Sequence, residues 1–192
     1  LNSIKSLLEY THPDHLSHAS NETQALWEAG QAAMAIMWGS RGGAVLDDEG
    51  STAEVTENTL LSMAPTANGG STPAATLWWD GVTIAKNVPD ADAEASFAAL
   101  VSGLNADLMK EHNDKAIWLI DGFQPGPAAA GVSATANAGA KPYPMIPFVN
   151  LMHNALGSEL VDFYKGTESA EDALADVEAA YVTAAKEAGF LN

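Results

Sequence analysis

Residues 30–43, GQAAMAIMWGSRGG, constrain this chain more than any other stretch. A five-residue apolar run, 34–38, lies between a small-residue run and a Gly/Ser/Arg turn. The run is too short for a helix of its own and is bounded by turn formers. It predicts a buried strand that delivers its C-terminal end to a loop. Ends of such strands are where α/β proteins present ligand-binding groups. Trp38, Ser40 and Arg41 emerge together there, an aromatic ring, a hydroxyl and a guanidinium. Gly39, Gly42 and Gly43 let that backbone come close to a ligand. Residues 39–46 read as a short helix whose first N–H groups would face a ligand oxygen.

Charge narrows the partners. With 25 acids against 8 bases the chain carries a formal charge of −17, so nucleic acid and anionic membrane surfaces are repelled. The acids are dispersed, as on a solvated, self-repelling surface. The absence of cysteine removes disulfide and thiolate chemistry and suits an exported protein. No signal peptide is visible, and no apolar run approaches the roughly 20 residues of a membrane span. The chain opens inside LNSIKSLLEY, with Ile4, Leu7 and Leu8 on one helical face and no initiating Met. It therefore reads as a fragment or a processed product.

Further along, His12, Asp14, His15 and His18 could form a metal set, but their Pro-containing loop reads better as solvated. Ser20 or Asn21 can cap a helix that turns Leu26 and Trp27 inward. Asp47, Asp48 and Glu49 read as a solvated acidic run rather than a carboxylate pair for glycoside chemistry. Residues 60–64 predict a second short strand, followed by a Gly/Pro/Ser/Asn-rich loop fit for a hinge. In LWWDGVTIAKN, Val82 and Ile84 alternate with polar residues and predict a third strand, with Trp78, Trp79, Asp80 and Gly81 at its mouth. A helix begins at Pro89 and Asp90, carries Ala93, Phe97, Leu100, Val101 and Leu104 at helical spacing, and ends near Gly103. A short helix, NADLMKEHN, follows, with His112 exposed. Pro147 opens another helix, and Ser169 with Asp172 caps a last one, whose apolar stripe runs through Leu174, Val177, Tyr181 and Ala184. Lys186 lies in its last turn and Gly189 just beyond it.

These motifs, in this order, resemble the extracellular solute-binding proteins of bacterial ABC importers, in the sugar-binding family related to the maltodextrin-binding protein. The resemblance rests on EAGQAAMAIMWG, on the Ala64-Pro65 crossover and on WWDGVTIAKN followed by its Ala/Phe/Leu/Ser helix. It rests further on GFQP, on AGAKPYPMIPFVN and, above all, on GTESAEDAL in the last helix. A second Trp stands at 78/79 where the family often has a small residue. Gly126-Pro127 stands where it often has a basic or hydroxyl residue, which leaves Phe123 and Gln124 as that loop's candidates. The resemblance implies an α/β, two-lobed type II binding-protein fold, of which this chain spans the helix-rich second half with a few short strands. Residues 1–64 and 115–192 would belong to the C-terminal lobe and 65–114 to a segment returning to the N-terminal lobe through the hinge.

The implied function is to bind a sugar or polyol in an interlobe cleft and deliver it to the membrane permease subunits. The implied protein is a periplasmic or extracellular, membrane-associated monomer that breaks no bond and needs no cofactor or metal. Candidate ligand contacts are Trp38, Ser40, Arg41, Trp78, Trp79, Asp80, Gly81, Tyr143, Phe148 and Asn150, the last three because the family's proline-rich segment and the following helix turn meet the sugar. His153 reads as a packing or surface residue. Aromatic faces beside a carboxylate suit sugars, since the C–H face of the ring stacks on the aromatic and the hydroxyls bond the carboxylate. Two other readings compete: a carbohydrate-active enzyme using Asp80 and Asp121, and a helical interaction domain without a small ligand. A cleft also needs two walls, so this piece alone is expected to bind sugar weakly.

Overall fold

The computed structural model describes residues 1–192. In chain order the elements are α1 (Asn2–Leu7), α2 (Ser20–Glu28), α3 (Gly42–Leu46), α4 (Ala53–Glu57), β1 (Thr76–Leu77), α5 (Asp90–Gly103), α6 (Ala106–Glu111), α7 (Ala130–Asn137), β2 (Lys141–Pro142), α8 (Pro147–Glu159), α9 (Val161–Lys165) and α10 (Ala170–Glu187). Single 3-10 turns lie at Gly39–Arg41 and Pro127–Ala129, among others. The chain is thus of a helix-rich α/β kind, with one parallel pair of very short strands. No helix is long and apolar enough to cross a membrane. The chain divides into a terminal unit, Leu1–His18 with Pro144–Asn192, and a middle unit, Ala19–Tyr143.

The terminal unit is built on α10. The Ser169 hydroxyl accepts the Asp172 N–H at 3.1 Å and reaches the Asp172 carboxylate at 2.7 Å, the cap expected from sequence. At the other end the Gly189 N–H donates to Lys186 and the Phe190 N–H to Ala185, with Gly189 at φ +76°. That is a Schellman stop, and glycine relieves the left-handed residue it requires. Between these signals α10 buries Ala173, Val177 and Ala185. Leu174, expected in the stripe, is exposed, because the small residues one position earlier let α8 approach closely. Ala155 of α8, Leu160, and Phe163 of α9 complete that core, with Leu1, Ala180 and Tyr181 packed at its edge. Pro147 is the first residue of α8, as its missing N–H favours. In α1 the Ile4 and Leu7 side chains are exposed, and Lys5 lies over the Phe163 ring instead, 4.4 Å from its centroid.

The middle unit buries Val45 of α3, Met109 of α6, Ala129, Thr135 of α7, and Ala140. Thr135 is satisfied on both sides: its hydroxyl donates to the Gly131 carbonyl at 2.7 Å and accepts the Ala64 N–H at 3.0 Å. Glycines let the backbones meet. A Cβ at Gly42 would strike the Ala128 carbonyl, one at Gly39 the Val132 side chain, and one at Gly131 the Ser62 carbonyl. The Ala19 N–H donates to the Glu22 carboxylate, so the cap of α2 is Ala19, one residue before Ser20 and two before Asn21. The Trp27 indole N–H donates to the Thr59 hydroxyl at 3.0 Å, holding α2 to the segment after α4.

Three expected strands are not formed. Residues 34–38, residues 60–64 and the Val82–Ile84 stretch belong to no strand and pair with no neighbour. Met34 is 90% and Ile36 78% exposed, and Leu60 and Val82 are also open to solvent. Apolar side chains alone do not make a strand of a parallel sheet. Its N–H and C=O groups need flanking strands, and no strand of this chain pairs with these three. The one ladder joins Thr76 to Lys141 and Leu77 to Pro142, a few residues before the expected third strand. Pro142 has no N–H to donate, and Pro144 follows, so the ladder stops after one further bond, from the Tyr143 N–H to the Leu77 carbonyl at 2.9 Å. The helix predicted from Pro89 onward is present as α5, yet it buries no residue, and Phe97 and Val101 are exposed.

Candidate functional site

The short ladder brings distant aromatics together. Trp78 follows β1 and Tyr143 follows β2, so the parallel register sets their side chains next to each other. Their rings stack with centroids 3.8 Å apart at an interplanar angle of 24°. Trp38, at the end of the unpaired 34–38 segment, meets Trp78 edge-on, with centroids 5.6 Å apart at 85°. The Trp78 indole N–H donates to the Thr76 hydroxyl at 2.9 Å. Residues i and i+2 of a strand share a face, which is why that donor finds a partner two residues back. The three rings form one cluster in the middle unit, and it lies at the surface: Trp38 is 51% and Trp78 43% exposed. Ring pairs of this kind contribute about 0.5–1.5 kcal/mol each beyond area burial.

Tyr143 covers one face of Trp78, so that face is not open to a ligand. Trp79 has no ring partner and is 52% exposed. Trp38 and Trp79 each keep about half of their surface in solvent. Asp80 is exposed beside Trp79, and Gly81 follows with nothing within 4 Å of a Cβ placed on it.

Ser40 is exposed within the 3-10 turn Gly39–Arg41. The Arg41 N–H donates to the Trp38 carbonyl at 2.9 Å, so the guanidinium and the Trp38 ring issue from one turn. Arg41 Nη1 donates to Gln24 Oε1 at 2.7 Å and Nη2 to Asn21 Oδ1 at 2.8 Å, both on α2. Gly39 and Gly42 had suggested a backbone open to a ligand. Their close neighbours are instead residues of this chain, Val132 and Ala128. Phe148 and Asn150 lie on the first turn of α8 in the terminal unit, where Phe148 meets Phe190 with centroids 6.1 Å apart.

Sequence reasoning named Trp38, Trp78 and Tyr143 separately. It did not foresee that Tyr143 stacks on Trp78, because the two are joined only by a ladder between distant segments. Asn21 and Gln24 were missed as the holders of Arg41. Their spacing of three on α2 puts them on one helix face, a signal readable only once Arg41 is known to approach.

The other clusters make local bonds. His12 Nδ1 accepts the Asp14 N–H at 3.2 Å, and the His12 and His18 rings lie 4.8 Å apart. No three histidine or acidic side chains are arranged to hold a metal. Asp47 accepts the Glu49 N–H within its own turn. The Gln124 carbonyl accepts the Asn113 side-chain N–H at 3.0 Å, and Phe123 is half-buried. The His112 side chain is 45% exposed, and its carbonyl accepts the Trp118 indole N–H at 2.9 Å. No protein-family model matches the chain, and no curated protein matches it.

Proposed function

We propose that the chain is part of a solute-binding protein that holds a sugar or polyol against the Trp38/Trp78/Tyr143 cluster and releases it unchanged. The observation that carries this reading is the surface position of three clustered rings, followed in the chain by the exposed Trp79 and Asp80. Monomeric proteins seldom leave large aromatics in such a group without a partner for them. An aromatic plane takes the C–H face of a pyranose, and a carboxylate accepts from its hydroxyls. The type II two-lobed architecture, the periplasmic or extracellular location and delivery to permease subunits belong to the same proposal. They rest on the order of motifs, not on the rings.

One wall covers only one face of a sugar, so affinity for this chain is expected to be weak, on the order of 1 mM. The test is tryptophan fluorescence during titration with a panel of neutral monosaccharides, oligosaccharides and polyols. Saturable quenching is expected from at least one, weakened by Trp79→Ala and by Trp38→Ala, and chromogenic glycosides should show no turnover. Titrations that stay flat across the panel, or hydrolysis of a glycoside, would sink the proposal. A second reading, docking of a partner on the exposed face of α5, is favoured by Phe97 and Val101. Loss of partner binding in Phe97→Ser, with unchanged sugar quenching, would distinguish it.

A further inference from the structure

Residues 81–84 meet no backbone partner: none of their N–H or C=O groups bonds to main chain. The Ala85 carbonyl, next in the chain, accepts the Val88 N–H and closes the stretch. Consecutive residues with unpaired main-chain donors and acceptors are the condition of a sheet edge. A groove of about 750 Å³ lies beside them within the middle unit, lined by Val82, Ile84 and Val88 and by Leu100, Gly103 and Leu104 of α5. Its polar side chains are the hydroxyls of Thr83 and Ser96 alone, too few to meet a sugar. α5 itself buries none of its residues. An uncovered apolar helix face and unpaired main chain thus stand in one place. An acyl chain would cover the first and leave the second unpaired. A strand satisfies both, through ladder bonds and through its alternate side chains.

We infer that this groove receives an extended, basic segment of a protein partner, which pairs its main chain with residues 81–84 and lays alternate apolar side chains on α5. The inference rests on the docking reading of α5 and narrows it to one occupant; it is independent of the sugar. Charge gives the occupant its sign. Between residues 80 and 109 five acids stand against one base, Lys86. Asp80 lies two residues before Val82, and Asp92 lies one helical turn before Ser96 on the same face of α5. Both are exposed, so lysines or arginines flanking the apolar part of the segment meet carboxylates. A second copy of the chain is disfavoured as occupant, since two chains of net charge −17 repel each other.

The experiment titrates the peptide fluorescein-KKVTVTVTKK-amide with the 192-residue chain at low salt and follows anisotropy. Saturable binding is expected, about tenfold weaker for the EEVTVTVTEE counterpart and reduced by added salt. Methylating the amide nitrogens of the valines, or those of the threonines, removes the donors of one edge of the peptide. At least one of these two peptides should bind about tenfold more weakly than the parent peptide. Gly103→Leu fills the groove. A Cβ there meets nothing within 4 Å, so the variant should keep its fold while binding falls about tenfold. Circular dichroism melting checks the fold, and Leu104→Lys, at an exposed position, repeats the test if Gly103→Leu is unfolded. No saturable binding, equal binding of the acidic peptide, or indifference to both methylations would overturn the inference. So would displacement of the peptide by laurate, which has no amide, or dimerisation of the chain alone that Gly103→Leu abolishes. Binding that survives Gly103→Leu and is lost in Phe97→Ser would overturn it and leave docking elsewhere on α5 standing. Tryptophan quenching by sugars reads the sugar proposal separately.

Discussion

Glu168 lies half-buried just before the cap of α10, close to three other acids. Partial desolvation raises its pKa above the usual carboxylate value. The Asp176 carboxylate raises it further, both by charge and by a hydrogen bond, and Asp162 and Asp172 add to the effect. A carboxyl whose pKa is raised on folding binds its proton more tightly in the folded state. Its contribution to stability is full below the ordinary carboxylate range and is lost as pH rises through the raised value. At neutral pH the group is therefore a source of repulsion. Glu168→Gln should melt at a higher temperature than the parent at pH 7, and the difference should vanish near pH 3, where both side chains are neutral. Calorimetric melting at the two pH values checks this, and a lower melting point at pH 7 would contradict it. At the same scale, Trp78 and Trp79 part company. Adjacent in sequence and equal in chemistry, they differ because only Trp78 has Tyr143 on its face.

At the scale of elements, the middle unit depends on backbone contact. The turn Gly39–Arg41 and α3 lie against Pro127–Ala129 and α7, and glycine is required where an added Cβ would meet main chain. Gly42→Ala places a methyl group against the Ala128 carbonyl and should cost about 1–3 kcal/mol, the range for an overpacked interior. Gly81→Ala meets nothing within 4 Å and has no positive φ, so it should stay within about 0.5 kcal/mol of the parent. Urea denaturation of the two variants makes the comparison, and equal midpoints would show that the close approach does not matter. In the terminal unit the corresponding role falls to α10, whose cap, small-residue stripe and Schellman stop are all written into consecutive residues.

For the whole molecule, charge decides the response to the medium. The ion pairs that form, such as Lys165 with Asp162 at 3.6 Å and Lys110 with Asp107 at 3.9 Å, are exposed and add little. Against them stands the mutual repulsion of a chain with net charge −17. Salt screens both, but repulsion is the larger sum. The melting temperature should accordingly rise between 20 mM and about 0.5 M sodium chloride, where the Debye length falls below roughly 5 Å. A fall over that range, followed by scanning calorimetry, would mean that attractive networks dominate.

Among the helices, α5, α8 and α10 were legible in the residues, whereas α4, α7 and α9 were not. Ser169 and Asp172, Pro147, Pro89 and Gly189 mark ends through local bonds and fixed dihedrals, and those act within a few positions of themselves. The rings of Trp38, Trp78 and Tyr143 could be named one by one for the same reason, as large apolar groups at breaks in pattern. Pairing was not legible. Residues 34–38 have the composition of a strand but no strand beside them, because ladder bonds depend on what another part of the chain supplies. Only the folded chain decided that Thr76–Leu77 runs beside Lys141–Pro142, and hence that Tyr143 closes one face of Trp78. Only it decided that the amides of Asn21 and Gln24 accept from Arg41. Local sequence sets dihedral preferences and caps, whereas contacts between distant segments are chosen by packing and register.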